Sequence, residues 1–338
     1  MSFRALVARK TASEPFSAGI ETLDDYGLPG GEVVVRVAYS GLNFKDALAV
    51  TGGPPILRAF PIVPGIDFAG NVISSTSPRF KPSEPVMLTG WGHGEQLWGG
   101  FGERASTQAA HLLPLPSGLS LRDSMALGTA GLAAALCVQA IAERESRRDL
   151  PVLVTGAAGG VGGFAVALLA ATGFRVAAST GRAELAPYLE SLGASEIVPR
   201  AYLSAPGKPL DKERWSGVVD TVGGDVLGGA LRGAAHRSVV AACGMAGGAE
   251  LKGTVFPLIL RGVRLQGIDT VLAAQEREAA WKLLAQKMPR AAMDAVAAEE
   301  IGLDEVVDAS RRLLAGKVRG RIVVRISEGR ADAESPRA

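Results

Sequence analysis

Apolar residues are distributed differently in the two parts of this chain. Before about residue 125, short stretches such as residues 32–39 alternate between apolar and polar side chains, and proline or glycine recurs every few residues. That pattern is typical of β-strands joined by turns. From Val152 onward, short continuous apolar runs alternate with helical patterns. The chain is therefore predicted to be an α/β protein with a β-rich domain and a doubly wound parallel sheet.

Six strands with helical crossovers are predicted for the parallel sheet. They occupy residues 152–155, 174–178, 196–198, 217–220, 238–242 and 263–268. A ligand of such a sheet is expected beyond the carboxyl ends of its strands, where small or polar residues such as Asp220 and Gly244 leave room for it.

A further strand is predicted at residues 320–326, far beyond the sixth strand of the sheet. It indicates that the chain returns to its first domain. The expected domains are 1–124 with 272–330 for the β-rich domain and 125–271 for the parallel-sheet domain, followed by a charged tail at 331–338.

A glycine-rich turn directly follows the first strand of the sheet. Gly156, Gly159 and Gly162 lie three residues apart, between an apolar run and an alanine-rich helical pattern. In this context the first glycine permits a tight turn, the second admits a pyrophosphate against the backbone, and the third lets the helix pack closely on its strand. Amide groups at the helix start then face the phosphates. The turn predicts a dinucleotide-binding site.

The end of the next strand distinguishes between the two common dinucleotides. A carboxylate at this place binds the ribose 2′-hydroxyl of NAD, but this chain has Ser179, Thr180, Gly181 and Arg182. A guanidinium group pairs with phosphate through two parallel hydrogen bonds, so these residues favour the 2′-phosphate of NADPH. The alternative is that Arg182 only decorates the first turn of the following helix.

Composition excludes several classes of protein. The 338 residues include 47% hydrophobic and 21% charged residues, with a net charge of +2, which favours neither disorder nor binding to nucleic acid. Cys137 and Cys243 lie in apolar runs and are interpreted as packed thiols. Because we find neither a secretory signal nor an uncharged apolar run of about 18 residues, we expect a cytoplasmic protein without a membrane span.

Four blocks of sequence carry a resemblance to a known family. They are residues 42–48 (LNFKDAL), 60–70 (FPIVPGIDFAG), 90–95 (GWGHGE) with Trp98, and 264–269 (RLQGID). Together with the glycine turn, they resemble the acrylyl-CoA reductase subgroup of the medium-chain dehydrogenase/reductase superfamily, in its quinone oxidoreductase-like branch. The tryptophan-glycine block is the most specific of the four.

The resemblance implies a GroES-like catalytic domain, a Rossmann domain that binds NADPH, and reduction of acrylyl-CoA to propionyl-CoA. It also implies a homodimer joined through the edge strand of the nucleotide-binding domain. The cofactor contacts that it implies are Phe44, Gly159, Gly160, Val161, Gly162, Thr180, Gly181, Arg182, Arg200, Met245, Ile259 and Asp269. Phe44 departs from the family, in which tyrosine is usual, and therefore lacks a hydroxyl group that relatives have.

The same comparison argues against a metal. Catalytic zinc needs about three protein ligands from cysteine, histidine or carboxylate. The position of the superfamily's first cysteine ligand is occupied by Asn43, and its Gly-His-Glu motif is replaced by Gly65-Ile66-Asp67. His93, His111 and His236 are far apart in sequence and are interpreted as surface or hydrogen-bonded residues. No metal is predicted.

The candidate catalytic residues are Asn43, Asp46 and Asp67, with Lys45 as a further polar candidate. The alternative is that the two aspartates cap a turn or helix and act only structurally. Trp91 and Trp98 either line the entrance for substrate or pack in the β-rich domain, and basic residues such as Lys45, Arg58 and Arg79 either meet coenzyme A phosphates or are solvated surface.

Three functions remain open from the sequence. The first is reduction of the α,β double bond of an unsaturated acyl-CoA by NADPH, without zinc. The second is reduction of quinones or alkenals on the same fold, since a fold does not fix its substrate. The third, from another class, is binding of NADPH without catalysis, which the loss of the hydroxyl at Phe44 keeps open.

Overall fold

The computed structural model describes residues 2–13, 15–144, 147–271 and 274–327. The described strands are β1 (Ser2–Arg9), β2 (Ser17–Asp24), β3 (Val33–Leu42), β4 (Asp67–Ser75), β5 (Pro85–Thr89), β6 (Arg104–Thr107), β7 (Leu113–Pro114), β8 (Val152–Val154), β9 (Val176–Thr180), β10 (Glu196–Pro199), β11 (Gly217–Asp220), β12 (Val239–Ala242), β13 (Arg264–Gly267), β14 (Glu299–Gly302) and β15 (Ile322–Arg325). The described α-helices are α1 (Phe44–Val50), α2 (Leu121–Ala142), α3 (Gly160–Ala171), α4 (Ala186–Ser191), α5 (Arg200–Ser204), α6 (Gly224–Arg232), α7 (Phe256–Leu260), α8 (Ala274–Lys287), α9 (Arg290–Val296) and α10 (Val306–Leu314).

The six predicted strands form one parallel sheet, in the order β10-β9-β8-β11-β12-β13. The central strands β8, β9 and β11 are buried along their whole length. Continuous apolar runs are the expected sequence pattern for strands that are covered on both faces. The prediction of a doubly wound sheet is therefore confirmed.

A second sheet is built by the first part of the chain and its return. Its order is β14-β15-β3-β4-β5-β7, and β6 also pairs with β3, while β1 and β2 form a separate antiparallel pair. The closing strand β15 pairs antiparallel with β3, with Ile322 opposite Leu42. Alternating burial along β3 places Val33, Val35 and Val37 in the core of this unit.

The chain divides into two compact units. One runs to Gly128 and includes 299–318 and the described residues from 322 on, and the other comprises 129–298 with 319–321. The predicted boundary differs, because residues 274–298 fall in the second unit, where α8 and α9 pack on α3. Helical periodicity identifies a helix but not the sheet that it covers. The predicted tail at 331–338 lies outside the described residues.

Helix α2 corrects one expectation from the sequence. It is long and apolar enough to span a membrane, since an 18-residue window of it has a mean hydropathy of 1.8. However, 83% of that window is buried inside the protein, as in a core helix. The helix is broken at Gly128, whose φ of 50° and ψ of −152° are not helical. The long apolar run that we did not expect therefore exists, but it is a buried element of the fold.

Close packing of β3 on β4 generates a prediction. A Cβ atom added to Gly70 would lie 1.9 Å from the carbonyl oxygen of Arg36, whereas one added to the exposed Gly19 in β2 would meet nothing within 4 Å. We expect Gly70→Ala to lower the free energy of unfolding by about 2–3 kcal/mol, because the strands must separate to admit the methyl group. Urea denaturation measures this, with Gly19→Ala as the matched control. Equal effects of the two substitutions would contradict the packing described here.

Candidate active site

The glycine turn joins β8 to α3. A side chain would collide with the backbone at Gly162, whereas Gly159 has free space beside it. Gly156 adopts a φ of 59°, in the left-handed region that favours glycine. A Cβ atom on Gly162 would lie 2.3 Å from the carbonyl oxygen of Gly156, so the helix approaches the turn as closely as glycine permits. At Gly159 the nearest atom to such a Cβ is 3.4 Å away. The backbone thus leaves room for a ligand at Gly159, and Gly159, Gly160 and Val161 are half-buried.

Two arginines lie at the end of β9, Arg182 directly after the strand and Arg200 from the start of α5. Thr180 accepts a hydrogen bond from the backbone N–H of Arg182 through its Oγ1 atom, at 3.0 Å, and Nη2 of Arg182 lies 3.4 Å from the carbonyl oxygen of Ala158 in the turn. The guanidinium of Arg200 covers Gly181, where a Cβ atom would lie 3.0 Å from Cζ. These side chains suit a phosphate group, and the residues present therefore fit NADPH.

The other predicted cofactor residues are mostly exposed. Met245 is 69% exposed and Ile259 71%, and Asp269 accepts a hydrogen bond from the backbone N–H of Val271 at 2.8 Å. Phe44 belongs to the other unit, at the first turn of α1, and is 43% exposed. Their contacts with a cofactor stay predictions.

Buried Asp220 fastens the strand ends of the nucleotide-binding unit. Its Oδ1 accepts a hydrogen bond from Oγ1 of Thr155 at 2.7 Å, and its Oδ2 accepts one from the backbone N–H of Gly223 at 2.8 Å. Burial raises the pKa of Asp220. Both of these hydrogen bonds are made within the protein, so Asp220 holds the carboxyl ends of β8 and β11 in place.

The three candidate catalytic residues lie together in the other unit. The side-chain nitrogen Nδ2 of Asn43 donates to Oδ2 of Asp46 and to Oδ2 of Asp67, both at 2.9 Å. Asp46 also accepts hydrogen bonds from the backbone N–H groups of Asn43 and Ile66, each at 2.9 Å. One amide group therefore bridges two carboxyl groups, at the start of α1.

Asp46 and Asp67 are buried, with 1% and 0% of their surface exposed, while Asn43 is half-buried. Burial, and secondarily the nearby charge of Asp67, raise the pKa of Asp46 to about 7. Hydrogen bonds from Asn43 and Ile66 oppose this shift. Near neutral pH the cluster therefore carries less negative charge than two free carboxylates would.

The donors at this place do not fit zinc. The amide nitrogen of Asn43 has no lone pair to offer a metal, and it already donates to both carboxyl groups. No group of three or more metal-ligating side chains suited to an ion occurs among the residues that the structure describes. The amide of Asn43 lies between the carboxyl groups of Asp46 and Asp67, in the place where a cation would otherwise be needed to balance their charge.

The tryptophan-glycine block forms a loop in the same unit as these three residues, and the backbone of this loop is strained at Trp91. Trp91 has a φ of 58° and stacks on His111 at 5.1 Å between ring centroids, and His111 lies edge-on to His93 at 5.6 Å. The sequence separates these two histidines, but the fold brings them together. Trp98 packs on the core and lines a cavity of about 240 Å³, so both interpretations of the tryptophans remain open.

Both ring nitrogens of His93 are engaged in hydrogen bonds that fix this loop. Its Nδ1–H donates to the carbonyl oxygen of Trp98 at 2.6 Å, and its Nε2 accepts from Oγ1 of Thr107 at 2.9 Å. Burial lowers the pKa of His93 to about 4, so the ring is neutral at physiological pH. His236 is exposed.

Two of the basic candidates for coenzyme A are already engaged. Lys45 forms an ion pair with Glu95 at 3.0 Å, and Nη1 of Arg79 donates to the carbonyl oxygen of Ala109 at 3.1 Å. Arg58 is exposed.

The cysteines are free thiols, of which Cys137 is buried.

Sequence and structure comparisons agree with this arrangement. Residues 29–117 match the model of the alcohol dehydrogenase GroES-like domain, and residues 160–286 match that of zinc-binding dehydrogenases. The chain is 45% identical to the acrylyl-CoA reductase AcuI of Ruegeria pomeroyi, over 96% of this chain and 99% of that protein. It is 41% identical to the putative quinone oxidoreductase YhfP of Bacillus subtilis, over 96% and 99%.

A crystal structure of the yhdH oxidoreductase from Salmonella enterica in complex with NADP superposes with a TM-score of 0.92, at 45% identity, and covers 96% of this chain and 100% of the other. The identity extends through both units rather than the nucleotide-binding unit alone. The chain therefore belongs to the acrylyl-CoA reductase group of the medium-chain dehydrogenase/reductase superfamily.

Proposed function

We propose that this protein uses NADPH to reduce the α,β double bond of an unsaturated acyl-CoA, with acrylyl-CoA as substrate and propionyl-CoA as product. The observation that carries the proposal is the amide of Asn43 between two buried carboxyl groups, where zinc-dependent relatives would need a metal. Near full-length similarity to a protein named acrylyl-CoA reductase, and to a structure that contains NADP, supports it.

A conjugated alkene suits a site without a Lewis acid. Its β carbon is already electrophilic because it is conjugated to the thioester carbonyl, and bound NADPH supplies the hydride that this carbon accepts. The chain's own task is to align the substrate and to stabilise the negative charge that develops on the carbonyl oxygen. Oxidation of an unactivated alcohol would need a stronger electrostatic partner than an amide.

We propose that three residues act together in different roles: Asn43, Asp46 and Asp67. Asp46 and Asp67 are buried, so we assign them to positioning, through the two hydrogen bonds that fix the amide of Asn43. Half-buried Asn43 is the member of the three that a substrate can reach. The alternative of a purely structural cap at α1 predicts stability effects without kinetic ones.

Reduction of quinones is the second candidate, favoured by the similarity to the Bacillus protein named a putative quinone oxidoreductase. Binding of NADPH without catalysis is the third. All three candidate functions use the nucleotide site, so they differ only in which acceptor, if any, NADPH reduces.

We further propose that the protein is a cytoplasmic homodimer. Strand β13 is an edge of the parallel sheet, and nearby α7 exposes Phe256, Ile259 and Leu260. We expect light scattering to give twice the chain mass of 34.8 kDa. A constant mass near that of one chain at all concentrations would contradict the dimer.

The acceptor is tested by following the loss of nicotinamide absorbance. We expect NADPH to be oxidised with acrylyl-CoA, to be oxidised much more slowly with a simple quinone, and to be preferred over NADH, because Arg182 stands where a carboxylate would hold NAD and Arg200 lies over the adjacent Gly181. Faster turnover of the quinone would favour the second function. Tight binding of NADPH without oxidation by any enoyl thioester, enone or quinone would favour the third.

The raised pKa of Asp46 predicts a pH-dependent stability. The folded protein holds this proton more tightly than the unfolded chain, so the contribution of Asp46 to stability is present below about pH 4 and is lost as the pH rises through about 7. Between about pH 5 and about pH 8, we expect the free energy of unfolding of the wild type to fall more than that of Asp46→Asn. Urea denaturation at both pH values measures the difference. Equal pH dependence in the two proteins would show that Asp46 ionises normally.

A further inference from the structure

A three-residue segment from near the end of the chain lies beside the glycine turn. Residues 319–321 belong to the nucleotide-binding unit, although the chain on both sides of them belongs to the other unit. The backbone N–H of Gly320 donates to the carbonyl oxygen of Ala158 at 2.9 Å, and that of Arg321 donates to Val296 at 2.8 Å. These bonds hold Arg319 next to the turn that is open to a ligand.

Arg319 packs on a tyrosine whose hydroxyl is unused. Its Cζ atom lies 4.8 Å from the centroid of the Tyr188 ring, in α4. Oη of Tyr188 is buried and has no hydrogen-bond partner among the residues that the structure describes. A Cβ atom added to Gly163, in the first turns of α3, would lie 3.2 Å from that oxygen, which places the hydroxyl against the start of this helix.

Buried hydroxyl groups rarely lack a partner, because the loss of hydration costs free energy. Burial raises the pKa of Tyr188 to about 12, while the charges of Arg319 and Arg182 oppose the shift. Arg319 contacts the ring of this tyrosine from residues 319–321, and Arg182 lies directly after β9. A neutral hydroxyl donor beside a guanidinium group is well suited to an anionic oxygen.

Arg200 and Arg319 carry positive charge that no ion pair balances among the described residues. Within the described parts of the chain, neither Arg200 nor Arg319 forms an ion pair with a carboxylate. Most other arginines of this protein that lie near acidic residues are paired, as Arg232 is with Asp211. Arg319 thus lies over the Tyr188 ring and Arg200 lies over Gly181, and neither has an acidic partner among the described residues.

We propose that Arg319 and the hydroxyl of Tyr188 complete the site for the 2′-phosphate of NADPH, with Arg182 and Arg200, and that Arg319 is a specificity-determining residue. The inference rests on the proposed use of NADPH. It adds two residues that the sequence did not indicate, because Arg319 lies 137 positions beyond Arg182 and outside every motif of the nucleotide site. A dianionic phosphate monoester is the ligand that this charge and this donor fit.

The pyrophosphate of the cofactor is the other anion near the turn, and the experiment separates the two. Isothermal titration compares 2′,5′-ADP, which carries the 2′-phosphate, with 5′-ADP, which does not. We expect Arg319→Gln to weaken 2′,5′-ADP about tenfold, the effect of one charge-assisted hydrogen bond, and to leave 5′-ADP within about twofold. Lys317→Gln, which removes an exposed positive charge two residues away, is the matched control and is expected to change neither.

The variant Tyr188→Phe tests the hydroxyl. It keeps the ring under Arg319 and removes an oxygen that has no partner in the free protein, so its melting temperature is expected to stay the same or rise. Its affinity for 2′,5′-ADP is expected to fall while that for 5′-ADP does not. An unused structural hydroxyl would give the stability result without the affinity result, and that outcome overturns the role of Tyr188.

Kinetics with acrylyl-CoA complete the test. For Arg319→Gln, we expect the KM for NADPH to rise by a larger factor than the KM for NADH, because only NADPH carries the 2′-phosphate. Equal losses for 2′,5′-ADP and 5′-ADP, or no loss for either, would overturn the proposal. If the wild type reduces acrylyl-CoA but does not prefer 2′,5′-ADP to 5′-ADP, this inference fails and the reductase activity stands. If Arg319 governs 2′,5′-ADP binding in a protein that reduces no thioester, this inference stands and the proposed reductase activity fails.

Discussion

The nucleotide-binding unit depends on how closely α3 approaches the end of β8. Gly162 permits this approach, since any larger residue would collide with the backbone of Gly156. The carbonyl oxygen of Ala158 in the same turn accepts from the backbone N–H of Gly320 and lies 3.4 Å from Nη2 of Arg182. Three segments that are remote in sequence thus meet at one turn. A site for a dinucleotide arises here because backbone geometry, rather than one binding residue, gathers the donors.

In the other unit, an amide replaces a positive charge. Two buried carboxylates would repel each other and lose hydration, and proteins usually answer this with a metal, a cation or a shared proton. Here Asn43 donates to both carboxyl groups, and burial raises the pKa of Asp46 to about 7. The result is a rigid polar group of low net charge. Such a group cannot act as a strong Lewis acid, which agrees with an acceptor that is already electrophilic.

The parts of this structure that could be predicted from the sequence are those with local causes. Continuous apolar runs identified the six parallel strands to within about two residues, and the glycine spacing located the turn. What sequence reasoning missed depends on contacts between distant segments. The spacing of His93 and His111 gave no sign that their rings meet, α8 and α9 carried no mark of the helix α3 on which they pack, and nothing near Arg319 indicated that it would lie over Tyr188. The family resemblance pointed to Arg200 but not to these.

The replacement of tyrosine by Phe44 limits what the side chains can do in catalysis. Phe44 has no proton to give, Asp46 and Asp67 are buried, and the amide hydrogens of Asn43 are already directed at the two carboxyl groups. These four residues therefore fit positioning better than proton transfer. An α carbon beside a thioester carbonyl becomes basic once hydride has been added at the β carbon, and water is then acid enough to protonate it. Loss of the hydroxyl at position 44 is compatible with alkene reduction for that reason, whereas a reaction that needs a dedicated acid would not tolerate it.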